Sequence, residues 1–294
     1  MVRRGTYSIV ARDPDSLELG VAVQSHWFSV GSVVPFAQAG VGAVAVQSVP
    51  DPDTGPAVLE TLAARGDARE ALRVAVGAQP NAGMRQVGVV DARGDGAAWT
   101  GADCIRHAGD VEGPGFAAQA NMMLNEGVPE AMAAAFERAT GPLAERLVDA
   151  LDGAEAAGGD VRGRQSAALL VVPAQGPPHA HAVDLRVEDH RDPLGELRRL
   201  LVLQRAYELA GEADELVAQG RHEEAGPRYE QAAQLAPDND ELLFWAGLAA
   251  GPQRGLLLVR EAIERNPRWT TLLERLTDDV APGAAAMRRA LAAD

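Results

Sequence analysis

Residues 6–12 follow an alternating pattern in the run Thr6-Tyr7-Ser8-Ile9-Val10-Ala11-Arg12, which predicts a strand with one face on a core. Asp13-Pro14-Asp15-Ser16 is turn-forming, and residues 19–25 return as a second strand, so the two make a hairpin. A turn or short strand follows over 31–35 and a third strand over 42–48. The repeated Ala-Val-Gln-Ser of residues 22–25 and 45–48 suggests neighbouring strands that end at one edge of a sheet. After the breaker Asp51-Pro52-Asp53-Thr54-Gly55, apolar positions at helical spacing (Leu59, Leu62, Ala63, Ala71, Leu72, Val76) predict one helix over 56–75. Residues 86–91 and 96–100 pair as strands across Arg93-Gly94-Asp95. Helices are expected over 116–124, 129–138 and 143–151, and strands again over 165–172 and 180–187. Strands, helix, strands, helices, strands is an α+β order, which fits two sheets covered by helices better than a doubly wound parallel sheet.

Beyond Pro193 the pattern becomes almost continuously helical. Gly220, Ala225, Tyr229, Ala232 and Pro237 fall at the offsets of a tetratricopeptide-like unit, and Ala262 and Pro267 repeat two of them after thirty residues. The chain therefore divides into a main domain over 1–192 and a small all-helical appendage over 193–294, a degenerate repeat too short to be an independent solenoid. Packing on the first domain or on a second subunit would complete it, and a homodimer is the expected assembly.

Charge narrows the functional classes. Acidic residues outnumber basic ones 42 to 27, for a formal charge of -15, which argues against nucleic-acid binding and against adhesion to anionic membranes. The chain contains no lysine, so a lysine nucleophile or Schiff base is excluded and any cationic clamp is arginine. A single cysteine, Cys104, forms no intrachain disulfide and no cysteine-rich zinc site. With no secretory core after Arg4 and no membrane-length apolar run, a cytoplasmic protein is expected.

The candidate chemistry begins at Gly5-Thr6. A threonine at the start of a strand, freed by cleavage of the bond before it, offers a hydroxyl nucleophile and an amine that serves as its base. Residues 1–5 are then a candidate propeptide. Asp160-Val161-Arg162-Gly163-Arg164-Gln165-Ser166 is the densest polar segment entering a strand, and either guanidinium suits a carboxylate or a developing oxyanion. Its structural alternative is an Asp160–Arg162 pair that pins the turn, with Gln165 and Ser166 capping the sheet. Asn121, polar within an apolar helical pattern, is a candidate oxyanion donor or a loop tether. Asp13, His26 and Ser25, near the ends of the first hairpin, are candidates to orient the Thr6 amine or deliver a proton. Met122 and Met123 read as core, and Cys104 as a buried or half-buried thiol. His179 and His181 with Asp184, Glu188, Asp189 and His190 allow a metal ion, although such groups are more often solvated, and no metal is assigned. No nucleotide-binding signature is present, so no cofactor is expected.

The run Thr6 to Pro14, continued by Leu19-Gly20-Val21-Ala22-Val23-Gln24-Ser25 and Val30-Gly31-Ser32-Val33-Val34-Pro35, closely resembles a bacterial and archaeal family catalogued as a domain of unknown function, numbered ten twenty-eight. Further matches are residues 39–45, 85–91, Thr100-Gly101 with Cys104, and Gly158 to Leu169, so the resemblance covers about residues 6 to 192. It implies the four-layer αββα fold of N-terminal-nucleophile (Ntn) hydrolases. In many relatives the matching threonine directly follows the initiator methionine, whereas here Val2 to Gly5 intervene, so methionine removal does not expose it: either the chain cleaves itself before Thr6, or translation starts elsewhere, or this copy is inactive. Ala120, where the family more often has glycine, and His107, where tryptophan is common, are departures. The function implied is a cofactor-independent N-terminal-threonine amidohydrolase acting on a small amide or peptide-like bond, with Thr6, Asn121, Arg162, Asp160, Asp13 and His26 as its site. The competing reading is a catalytically inactive scaffold or binding protein whose helical appendage holds a protein partner or, as in a peptidoglycan-binding-like segment, a cell-wall fragment.

Overall fold

The computed structural model describes residues 5–49, 51–77, 79 and 81–293, so the candidate propeptide, apart from Gly5, lies outside the described residues. The chain divides into two compact units, Met1–Arg198 and Arg199–Asp294.

The first unit holds two antiparallel sheets. One runs β10-β9-β2-β1-β8-β7, made of β1 (Thr6–Arg12), β2 (Leu19–Ser25), β7 (Gly109–Gly113), β8 (Phe116–Asn121), β9 (Ser166–Val172) and β10 (Val183–Val187). The other runs β3-β4-β5-β6, from β3 (Pro35–Gln38), β4 (Gly42–Gln47), β5 (Gln86–Asp91) and β6 (Gly96–Thr100). Period-two alternation sends Val10, Val21 and Val23 of the six-stranded sheet and Ala43, Ala45 and Val90 of the four-stranded sheet into one shared core. The opposite face of the four-stranded sheet, Val44, Val46, Val87 and Val89, packs on Val58, Leu62, Ala71 and Leu72 of α1 (Thr54–Arg65) and α2 (Ala68–Gly77). The outer face of the six-stranded sheet is covered by α3 (Val128–Arg138) and α4 (Leu143–Ala156). The layers are helices, sheet, sheet, helices. Each fully buried valine, leucine, isoleucine, methionine or phenylalanine of this sandwich contributes about 1.5–3 kcal/mol of apolar transfer, against the ordering cost of its backbone.

Three expectations are corrected and one strand is added. Residues 116–121 form strand β8, not a helix, because β1 and β7 pair with it on both sides and all six residues are buried. The single helix over 56–75 is two: Gly66 takes a left-handed φ of 62° and its N–H closes α1 on Leu62 O. β7 was not foreseen, since Gly109-Asp-Val-Glu-Gly is polar and lies at the sheet edge. The two Ala-Val-Gln-Ser copies are not neighbours in one sheet; β2 and β4 belong to opposite sheets.

The β1–β2 turn is an Asx turn, in which Asp13 Oδ1 accepts from the amides of Asp15 at 2.9 Å and Ser16 at 2.8 Å, while Oδ2 accepts from Arg146 Nη1 at 3.0 Å. Burial pushes the Asp13 carboxyl upward, but the Ser16 and Asp15 amides, the Ser16 hydroxyl and Arg146 outweigh it and hold the pKa below its ordinary value. A carboxylate depressed in the folded state stabilises the fold above its ordinary pKa, and that contribution is lost as pH falls through the folded value. Asp13→Asn is therefore expected to lower the urea midpoint most at neutral pH, with the gap from wild type closing below about pH 4; a gap that widens in acid would contradict this. At one flank of the sandwich, the edge-strand amide of Ala98 in β6 donates to Glu112 Oε1 of β7 at 2.9 Å, and Glu112 also pairs with Arg69 at 2.5 Å.

The second unit is helical. It contains α6 (His222–Leu235), α7 (Asp240–Ala250), α8 (Pro252–Arg265), α9 (Arg268–Arg275) and α10 (Ala284–Ala292), and the division between the units falls inside α5 (Pro193–Ala218). Phe244 stacks on Trp269 with centroids 4.7 Å apart and meets Trp245 edge-on at 5.2 Å, forming the aromatic centre of its core. Asn239 caps α7 by accepting from Leu242 N–H at 3.0 Å. Among the described residues, no helix is long and apolar enough to cross a membrane.

Candidate active site

Pairing register places Thr6 between two partners. It lies opposite Ser25 of β2 and opposite Asn121 of β8, and Ser25 in turn lies opposite Ser166 of β9. Residues opposite one another share a face, so Thr6, Ser8, Ser25, Gln119, Asn121 and Ser166 all point between the sheets at one end of the sandwich. Gln47 and Gln86 reach them from β4 and β5. All eight are at most 1% exposed.

Thr6 Oγ1 donates to Ser25 Oγ at 3.3 Å, and Ser25 Oγ donates to the carbonyl oxygen of Gly5 at 2.5 Å. Arg162 Nη2 donates to the same oxygen at 3.0 Å. The carbonyl before Thr6 thus carries one neutral and one cationic donor, the arrangement that stabilises negative charge on an oxygen. Arg162 is held by Asp160 through Nε to Oδ1 at 3.0 Å and Nη2 to Oδ2 at 2.7 Å, and the Asp160 side chain is fully buried. Asp160 also accepts from the backbone amides of Arg162 at 2.9 Å and His26 at 3.3 Å. A Cβ on Gly5 would stand 2.6 Å from Asp160 Oδ2 and 2.9 Å from Arg162 Nη2, so only glycine leaves this ion pair in place beside the carbonyl.

An uncharged amide lattice supports Thr6 from below. Gln47 Nε2 donates to Thr6 O at 3.2 Å and to Gln86 Oε1 at 2.8 Å, while its Oε1 accepts from Ser8 Oγ at 2.6 Å. Gln119 Nε2 donates to Ser8 Oγ at 2.6 Å, and Asn121 Nδ2 donates to Gln86 Oε1 at 3.0 Å. Gln86 Nε2 in turn serves Thr100 Oγ1, Gly109 O and Ala120 O at 2.9, 3.1 and 2.9 Å. Gln86→Leu strands several of these groups in a dry layer, at roughly 1–3 kcal/mol for each that finds no new partner. We expect the unfolding free energy to fall by at least ~2 kcal/mol in urea titrations, and an unchanged midpoint would mean the lattice does not support the fold.

The loops leaving this end are strained. Of the five non-glycine residues with a left-handed φ among the described residues, Ser29, Ser48, His107 and Met122 lie in them, and only Leu17 lies at the opposite end. Such conformations cost about 1–3 kcal/mol each and concentrate at functional sites.

The sequence-derived candidates separate clearly against this geometry. Thr6, Asn121, Asp160 and Arg162 converge. Arg162 does pin the turn to Asp160, and it also reaches Gly5. Arg164 does not: it pairs with Asp192 at 3.0 Å and Glu155 at 3.4 Å. Glu155 also accepts from the Tyr7 hydroxyl at 2.6 Å, and burial first, then Glu155, raises the Tyr7 pKa well above its usual value. Asp13 is corrected outright, since it follows the far end of β1, roughly 20 Å of strand away from Thr6. His26 meets the site through its backbone amide, while its Nδ1 is buried without a hydrogen-bond partner. Ser166 Oγ bonds Trp27 O and Val30 N, and Gln165 bonds Asp189 at 3.1 Å, so neither works as a site group. Met123 is buried and Met122 half-buried; Cys104 is half-buried, with Sγ 3.7 Å from Ser48 Oγ and 3.6 Å from Arg85 O. His181 faces Asp184 at 3.7 Å and His190 bonds the backbone of Asp192, and among the described residues no group of three or more potential ligands is placed to hold a metal ion. Gln47, Gln86 and Gln119 were missed. Gln47 and Gln86 carried a signal, each a glutamine at the end of a strand read from sequence, whereas Gln119 lay in the segment read as a helix. Gln24 gives the same signal and points elsewhere: it shares the face of Tyr7, and its amide has no partner.

The model of the family of unknown function DUF1028 matches residues 6–197. Among solved structures, the chain is similar to the crystal structure of the protein SPO2555 from Silicibacter pomeroyi, described with the same family, at 31% identity over 69% of this chain and 86% of that one, with a TM-score of 0.62. A second solved structure, Anbu (ancestral beta-subunit) from Yersinia bercovieri, aligns at 13% identity over 66% of this chain and 91% of that one, with a TM-score of 0.33. No curated protein matches the chain.

Proposed function

The chain belongs to DUF1028, a family of unknown function, and from that membership we propose that it is an N-terminal-threonine amidohydrolase of the Ntn kind, activated by its own cleavage at Gly5–Thr6. The observation that carries this reading is the Gly5 carbonyl, which holds Ser25 Oγ at 2.5 Å and Arg162 Nη2 at 3.0 Å directly before a buried threonine. An ordinary strand residue gains nothing from such a carbonyl. A bond about to be attacked gains a stabilised oxyanion. The helix–sheet–sheet–helix layering and the position of Thr6 at the first residue of a central strand support the same reading.

In the mature enzyme the freed α-amine of Thr6 takes the hydroxyl proton as Oγ1 attacks the substrate carbonyl, then returns it to the leaving amine. Water releases the acyl group from the threonine ester. Asn121 spends one amide N–H on Gln86 and stands opposite Thr6, with its second N–H available to the oxyanion. Asp160 orients Arg162 and acts through it. The substrate is a small amide or peptide-like molecule, and no step calls on a cofactor. We read the second unit as a degenerate tetratricopeptide-like pair: Ala225, Tyr229, Ala232 and Ala262 are buried at the repeat's small and aromatic positions, and its role is to engage a protein partner.

Intact mass of the purified chain tests the reading. Loss of residues 1–5, leaving Thr6 as the first residue, is expected. A mass that retains them, in a preparation without amidase activity, would favour a binding protein instead.

A further inference from the structure

We propose that Ser25 is the proton carrier of the Gly5–Thr6 cleavage, moving the Thr6 hydroxyl proton onto the Gly5 carbonyl oxygen as Oγ1 attacks. This rests on the self-cleavage put forward above and names the group that makes it work before any amine exists.

The uncleaved chain faces a specific chemical problem. The nitrogen of Thr6 is then an amide and accepts no proton, and the chain has no lysine to assist. Asp160 is occupied by Arg162 and by the amides of Arg162 and His26. Arg162 is always charged and accepts nothing. Among the described residues, the one hydrogen bond of Thr6 Oγ1 is to Ser25 Oγ.

The direction of that relay is fixed by valence. A carbonyl oxygen only accepts, so the single proton of Ser25 points to Gly5 O, and the Ser25 lone pair is left to receive the proton of Thr6. The 2.5 Å link is short and the 3.3 Å link long, so the step that remains is a closing of Thr6 onto Ser25. Ser25 is fully buried at the end of β2 and is paired on both sides, with Thr6 and with Ser166, which holds it in register. In the reaction a bond forms between Thr6 Oγ1 and the Gly5 carbonyl carbon. The Thr6 proton passes to Ser25 Oγ as the Ser25 proton passes to Gly5 O; the negative charge that builds on Gly5 O in the transition state is met by the Arg162 guanidinium, and the product is a neutral five-membered ring intermediate. The ring hydroxyl proton returns to nitrogen as the carbon–nitrogen bond breaks, leaving a glycyl ester on Thr6 and a free amine. Water then splits the ester, its hydroxyl going to the glycyl carbon and its hydrogen to Thr6 Oγ1.

The test is a time course of intact mass on the full chain made by cell-free synthesis. Wild type is expected to lose residues 1–5 at a rate that is flat between about pH 6 and 9, because neither hydroxyl titrates there. Ser25→Ala is expected to cleave on the order of 10²-fold more slowly, with a rate that climbs about tenfold per pH unit as hydroxide takes over the proton. A purely structural serine would slow the reaction without changing its pH slope. In wild type itself, the rate should fall along a bowed curve as deuterium replaces hydrogen in the solvent, since two protons move together. Cleavage of Ser25→Ala at the wild-type rate and slope, or a linear deuterium curve in wild type, overturns the proton carrier while leaving self-cleavage standing. A wild-type chain that never loses residues 1–5 overturns both.

Discussion

Thr6→Ala is expected to keep residues 1–5 and to hydrolyse no amide. The substitution removes the one atom that attacks in both reactions, so loss of processing and loss of turnover come from the same deletion. Removing a nucleophile from a site that works as a unit costs on the order of 10⁴-fold or more in rate. The fold should survive: alanine is a smaller residue at a position with a single 3.3 Å side-chain hydrogen bond, so the cost in stability is about 1 kcal/mol. Intact mass, a urea titration and an amide screen on the same preparation separate the two effects. A Thr6→Ala chain that loses residues 1–5 at the wild-type rate was cut by a host protease, and the proposed nucleophile is then wrong.

Arg162→Ala should damage stability and processing together. Its partner Asp160 has a fully buried side chain, and stripping a buried carboxylate of its cation costs about 3–5 kcal/mol. The same change removes the charged donor to Gly5 O, worth about 10²–10³-fold in rate for an oxyanion contact. Arg162→Lys divides the two. An ammonium neutralises Asp160 and restores much of the urea midpoint, but it has no fork with which to chelate the carboxylate and reach the carbonyl at once. Stability recovered with processing still slow is the expected pattern. Full recovery of both would reduce Arg162 to a structural counter-ion.

The parts of this fold that could be read in the sequence are those where local pattern and tertiary environment agree. The hairpin of β1 and β2, the β5–β6 pair and helix α4 carry their period and their turn chemistry within a few residues. Strand β8 does not, because Phe116-Ala-Ala-Gln-Ala-Asn is a helix former by propensity and becomes a strand only through two neighbours far away in sequence. The misreading had a direct cost at the site. Placed on a helix, Asn121 has no defined relation to Thr6; placed on β8, it sits directly across from it. Arg162 was legible because Asp160 lies two residues away, whereas the layer of Gln47, Gln86 and Gln119 exists only once two sheets face each other. Asp13 was misplaced for a simpler reason: a hairpin has two ends, and proximity to the turn put that carboxylate at the wrong one.

The Glu112 carboxylate that receives the Ala98 amide has a consequence for self-association. An open strand edge recruits other chains by offering unpaired amides, and here a neighbouring strand from the other sheet occupies one of them with an acidic group. An incoming strand would have to displace a charged side chain that Arg69 also anchors. The sandwich therefore guards this flank against fibre-like stacking with a side chain that is already engaged on both sides.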